Sequence, residues 1–176
     1  MNAVVRTDKM FGTDNRAGLC SVRYQSIEGE GTAAKTVYHE IQNGNVLLLN
    51  GLETGSREVY KGAVPAANSA LGDIVLVASP EVMYDERLRN LDDFTNEAGK
   101  IARGYRLHPN DVFSVTKDAL DGAAEPAVGD VVELKAGTKM NVKAATTGAT
   151  SGSTVVGKVI DINIVGRYTY FVIEVK

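Results

Sequence analysis

The pattern Gly-Asp-(Ile/Val)-Val is written twice in this chain, in "LGDIVLVASPEV" from Leu71 and in "VGDVVELKAGTK" from Val128, and no other feature constrains the fold as much. Gly72 and Gly129 stand 57 positions apart. Two further blocks keep nearly the same offset. "GKIARGYRL" from Gly99 and "GKVIDINIV" from Gly157 are 58 apart, and that shift carries "DVFSVT" from Asp111 onto "TYFVIE" from Thr169, with Phe113 on Phe171 and Val115 on Ile173. Three blocks in one order predict an internal pseudo-duplication, residues 71–120 and 128–176. The plainer alternative is that β-proteins reuse Gly-Asp turns and Val-rich strands.

Each unit reads as a Gly-Asp turn, an apolar strand, a variable insertion, a Gly-Lys turn, a second strand, and a closing strand with alternating large side chains. The β-branched content of "DIVLV", "DVVEL", "STVVGKVIDINIV" and "TYFVIEV" favours strands, since branched side chains pack well on a pleated surface. The predicted class is all-β with at most one short helix: a small barrel or sandwich built from the two units, which can close a barrel by pairing their ends. Gly72, Asp73, Gly129 and Asp130 are the predicted turn formers, glycine supplying backbone freedom and aspartate accepting a backbone hydrogen bond.

The insertions differ. "SPEVMYDERLRNLDDFTNEAG" carries Ser79 as an N-cap candidate and Pro80 behind it, and is read as a short helix or an ordered loop. "KAATTGATSGST" is small, polar and glycine-bearing, and reads as a mobile loop. Ahead of the repeat, residues 1–35 are polar apart from short apolar islands and read as an extended N-terminal arm that frays or orders on a partner. Residues 36–68 read as a β-hairpin and a linker. Val37 to Ile41 and Val46 to Leu49 are its strands, Asn43-Gly44 its turn, and "AVPAANSA" the link to a barrel domain over 69–176.

Chemistry-bearing patterns are sparse. The formal charge of -3 gives no global attraction to nucleic acid or to an anionic membrane. No apolar run approaches the ~18–20 residues of a membrane-spanning helix, and the first twelve residues lack the apolar core of a secretory signal, which points to synthesis and retention in a cytoplasm. Cys20 is the single cysteine, so it reads as an inert thiol rather than a nucleophile, disulfide or zinc ligand. His39 and His108 have no ligand spacing, and no Gly-x-Ser-x-Gly elbow occurs. The carboxylates Asp85, Glu86, Asp92, Asp93 and Glu97 lack the spacing of a calcium loop and are interleaved with Arg87 and Arg89, as on a solvated face. No phosphate loop, cofactor motif or metal set is legible, and no enzyme is expected; an activity using Asp93 and Glu97 is the remote alternative.

The stretch from Gly72 to Thr116, with its Gly-Asp strand, "AGKIARGY" and "NDVFSVT", resembles the β-turn-β pattern of head decoration, or cement, proteins of tailed bacteriophages. The second unit echoes it to the end of the chain. The resemblance implies a structural virion protein, made in the bacterial host cytoplasm, that sits on the capsid surface and bridges major capsid subunits. Its partners would be the major capsid protein and further copies of itself, as a trimer or dimer, with no membrane, cofactor or direct nucleic acid. Apolar residues in polar surroundings are the candidate capsid contacts: Val4, Val5, Leu19 and Val22 in the arm, and Tyr84, Leu88 and Phe94 in the long insertion. The alternative is a small barrel gripping single-stranded nucleic acid or glycan through Tyr105, Arg106, Arg167, Tyr168 and Tyr170.

Overall fold

The computed structural model describes residues 2–6, 18–83 and 91–176. Among them the chain is all-β, with two six-stranded sheets and only short 3₁₀ turns between strands. The first sheet contains β1 (Leu19–Glu28), β2 (Lys35–Tyr38), β3 (Val46–Leu52), β4 (Val59–Ala63), β5 (Ile74–Val77) and β6 (Ala102–Arg106). Its order is β2-β1-β4-β3-β5-β6, and β6 also pairs with β1, so five strands close into a barrel and β2 extends it. The second sheet is curled, with β7 (Val112–Thr116), β8 (Leu120–Gly122), β9 (Val131–Glu133), β10 (Met140–Lys143), β11 (Val155–Val165) and β12 (Tyr168–Val175) in the order β7-β12-β11-β9-β10-β8.

The unbroken apolar runs of β3 and β5 follow from burial on both faces. Leu47, Val75 and Val77 point into the barrel, where Val22, Ile41 and Ala102 complete a small core. Their neighbours Val46, Ile74 and Leu76 point outward, into a larger core shared with Phe113, Val115, Val132, Leu134, Met140 and Ile173 of the second sheet. Strand alternation thus lets one wall serve two cores. A five-stranded barrel has little interior room, and two glycines make the space. A Cβ on Gly62 would lie 2.7 Å from Val22 Cγ2 and 2.8 Å from Leu47 Cδ1, and one on Gly104 would lie 3.1 Å from Val75 Cβ.

Three expectations change. First, the arm is not an arm beyond residue 18. Leu19–Glu28 forms a barrel strand and Val22 is fully buried inside it. Residues 2–6 lie along β7: Val5 bridges Val115, Arg6 N–H donates to Ser114 O at 3.0 Å, and Val4 and Thr116 exchange bonds, which buries Val4 and Val5. Second, Asn43-Gly44 does not join paired strands, because β2 pairs with β1 while β3 pairs with β4 and β5. The hairpin is β3–β4. Third, Gly157-Lys158 is not a turn but the interior of β11. A Cβ on Gly157 would lie 2.0 Å from Glu174 O, so the close approach of β12 requires glycine there.

The repeated Gly-Asp takes two different conformations. In the first unit Leu71–Asp73 is a 3₁₀ turn and Asp73 is exposed. In the second, Gly129 has φ +95° and Ala127–Asp130 is a tight turn whose Asp130 N–H donates to Ala127 O at 3.1 Å. The turn that matches it is His108–Asp111, not 70–73. There Asn110 has φ +69°, and Asp111 N–H donates to His108 O at 3.0 Å. In both turns the aspartate takes the N–H three residues back, Ala127 at 2.9 Å and His108 at 3.0 Å. Both also dock on a neighbouring strand by the same bond pair, Gly129 and Asp130 on Val159, Asn110 and Asp111 on Val175. The closing strands of the two units pair directly, antiparallel, with Phe113 opposite Ile173 and Val115 opposite Phe171.

Candidate interaction surface

An open groove of about 1210 Å³ runs beside the barrel between the start of β1, the segment after β5 and the segment before β6. Its apolar lining includes Leu19, Val82, Met83, Phe94 and Ile101, with Glu58, Asp93, Glu97, Lys100 and Arg103 around them. Leu19 is 53% exposed, Val82 69% and Ile101 50%, so three large aliphatic side chains meet solvent around one depression. Side chains exposed singly need no explanation, but a cluster around a concave surface marks a contact site.

A buried polar network fixes the groove floor. Asn43 acts as a substitute strand partner: its Nδ2 donates to Ser79 O at 2.8 Å and its Oδ1 accepts from Ser79 N–H at 2.9 Å. Asn96 Nδ2 donates to the same Oδ1 at 3.1 Å and to Ile41 O at 3.0 Å, while Asn96 and Ile41 exchange backbone bonds of 2.9 Å. Ser79 Oγ accepts from Arg103 N–H at 2.9 Å. Ser79 therefore anchors the loop to β6 rather than capping a helix, and the described part of the insertion contains only a 3₁₀ turn, Leu91–Asp93. Such a satisfied network holds the groove walls in one arrangement.

Among the described residues the groove is lined by three carboxylates, Glu58, Asp93 and Glu97, by one thiol and by no histidine. Cys20 lines it, and burial raises the thiol pKa with Arg106 partly opposing, so the thiol stays protonated at neutral pH. Neither histidine serves it as a base: His39 contacts Ser26 Oγ at 2.8 Å and the Tyr24 ring, and His108 lies 3.6 Å from Asp111. Among the described residues no three His, Cys, Asp or Glu side chains cluster as metal ligands, and no helix is long and apolar enough to cross a membrane.

The predicted contact residues are dispersed. Leu19 and Phe94 share the groove; Val4, Val5 and Val22 are interior; Tyr84 and Leu88 lie outside the described residues, as do Asp85 and Glu86. In the sequence Val82 belongs only to a partial apolar stripe of the insertion and Ile101 carries no signal of its own, because their proximity to Leu19 arises on folding. The proposed nucleic-acid platform is divided between the sheets. Tyr105 packs on the core between them, and Arg106 stacks over Tyr60 at 5.3 Å. Arg167 is paired with Asp92, which also accepts from Tyr168 OH at 2.7 Å, and the guanidinium lies over the Tyr168 ring at 5.0 Å. Tyr168 and then Arg167 hold the Asp92 carboxyl below its usual range. Arg6 covers the buried Tyr170 ring at 5.5 Å. Rings and cations engaged with one another in this way do not form a free stacking face.

Comparison with protein-family models, curated proteins and solved structures finds no match to this chain.

Proposed function

We propose that this chain is a structural virion protein that binds the outer surface of a bacteriophage capsid and stabilises it by bridging major capsid subunits. The observation that carries the reading is the apolar rim of Leu19, Val82 and Ile101 around a groove with an ordered polar floor and an unreactive thiol. That combination suits protein contact better than catalysis. The resemblance of residues 72–116 to decoration proteins supplies the partner, and a shell presenting many equivalent sites turns a modest contact into a large collective stabilisation.

The test is co-sedimentation of the purified protein with assembled capsids of a tailed bacteriophage. Burying the part of Val82 and Ile101 that is still exposed contributes about 1–2 kcal/mol each. A Val82→Asp/Ile101→Asp variant should therefore bind at least about thirtyfold more weakly, with its melting temperature unchanged. Wild-type protein that fails to sediment with capsids would sink the capsid reading. Undiminished binding by the double variant would remove the groove from it.

A further inference from the structure

The tip of the β11–β12 hairpin overhangs the sheet. β9 covers β11 only from Val155 to Lys158, so Asp161–Val165 has β12 on one side and no paired strand on the other among the described residues. Ile164 is 76% exposed and is the most exposed large hydrophobic residue described. Edge strands usually carry lysine, proline or a covering loop against unwanted pairing. The sequence here, Ile160-Asp-Ile-Asn-Ile-Val165, has neither lysine nor proline.

The hairpin geometry shows which backbone groups face outward. Val165 and Tyr168 flank the two-residue loop Gly166-Arg167, and Gly166 with φ +61° occupies the first central position, as in a type II′ turn. The flanking pair of such a loop is hydrogen-bonded across the hairpin, so the next pair, Ile164 and Thr169, is not. The Ile164 N–H and C=O therefore point away from β12, toward the open edge. Ile162 points the same way, but its N–H donates to Asp161 Oδ1 at 2.9 Å. Ile164 is the residue on this edge with both groups uncovered.

We propose that the β11 edge from Asp161 to Val165 is a self-association surface, on which a second copy of this chain adds its own β11 antiparallel about a two-fold axis at Ile164. Of the possible registers, the one centred on Ile164 lets the two copies exchange N–H to C=O bonds at that residue. It sets the two exposed Ile164 side chains together on one face. It also carries Asp161 of each copy past the other's Gly166-Arg167 tip, within reach of the long Arg167 side chain, and this charge complementarity favours an identical chain over an unrelated strand. Arg167 can serve both partners: of its five donors, only those on Nη2 are engaged with Asp92 and Tyr168 among the described residues. So short an edge produces a reversible dimer whose population follows concentration. The inference does not depend on the capsid reading.

Sedimentation velocity over a concentration series tests it on the full chain. Wild-type protein should shift from monomer to dimer, and Ile164→Lys, which sets two like charges together, should weaken the association at least about tenfold while leaving the melting temperature unchanged. Cross-linking reads the register. In a Cys20→Ser background, Ile164→Cys should oxidise to a covalent dimer, because a hydrogen-bonded pair holds its Cα atoms about 5.5 Å apart, within disulfide range. Ile160→Cys should not, since that register carries residue 160 beyond the partner copy's hairpin tip, where no strand residue lies opposite it. A wild type that stays monomeric throughout, an Ile164→Lys variant that dimerises normally, or equal cross-linking at 160 and 164 would each overturn the proposal.

Discussion

Replacing Glu133 by glutamine should loosen the loop that follows β10, although that loop has the composition of a free linker. Glu133 is a β9 residue, 1% exposed, and its carboxylate holds three donors. Oε2 accepts from Thr150 N–H at 2.6 Å, and Oε1 accepts from Thr150 Oγ1 and Asn141 Nδ2, both at 2.7 Å. A glutamine placed to keep the two bonds at Oε1 turns its own NH₂ toward the Thr150 N–H. One charge-assisted bond, about 1.5–3 kcal/mol, is lost, and an N–H is left facing another donor. Relaxation of the loop offsets part of this, so we expect about 3 kcal/mol, or about 6–12 °C in melting temperature for a chain of this length. Hydrogen exchange should speed up over residues 144–150.

The pH dependence is a second reading of the same carboxylate. Burial pushes its pKa up, but the bonds from Thr150 and Asn141, with the charge of Lys143, outweigh burial and hold it below the ordinary glutamate value. A depressed folded-state pKa stabilises the fold above the unfolded-state pKa, and the stabilisation disappears as pH falls through the folded-state value. The difference between wild type and Glu133→Gln should therefore be full at neutral pH and shrink in acid below the ordinary glutamate range. A loss under about 0.5 kcal/mol, the usual span of neutral surface changes, or a difference independent of pH, would refute the reasoning.

The two aspartates of the repeated motif should behave differently. Asp130→Ala removes acceptors from Ala127 N–H and from Ala145 N–H at 3.0 Å and should cost about 2–3 kcal/mol in denaturant unfolding, whereas Asp73→Ala should stay within about 0.5 kcal/mol; equal effects would contradict the two turn geometries. Gly157→Ala sets a Cβ against the Glu174 carbonyl and should destabilise by more than about 3 kcal/mol, beyond ordinary core overpacking, so a near-native melting curve would contradict the β11–β12 approach.

Much of the architecture was legible because its signals are local. Branched runs at 74–77, 131–133, 155–165 and 168–175 all form strands. Asn43-Gly44 illustrates the limit. Gly44 does take φ +84°, but its N–H donates to Val77 O and a Cβ there would press on Ala119 and Val5, so the turn serves packing rather than a hairpin. The loop 144–154 misled by composition, since its anchors are side chains on β9 and its preceding turn, far from it in sequence. Leu19 and Phe94 were identifiable as apolar outliers, while Val82 and Ile101 joined them only through the folding of the barrel.

Sequence alone determined that this chain is all-β and that it writes Gly-Asp-(Ile/Val)-Val twice. These properties depend on neighbours one to four residues away. Tertiary structure decided which strands meet, because β pairing is non-local and each strand offers two edges that local sequence does not assign. It closed a barrel with β1 from a segment that reads as an arm, and it buried both faces of β5. It also gave the identical Gly-Asp pairs different surroundings: the Asp130 carboxylate is held by Ala127 and Ala145 and its backbone docks on β11, while the exposed Asp73 carboxylate has no such partner among the described residues.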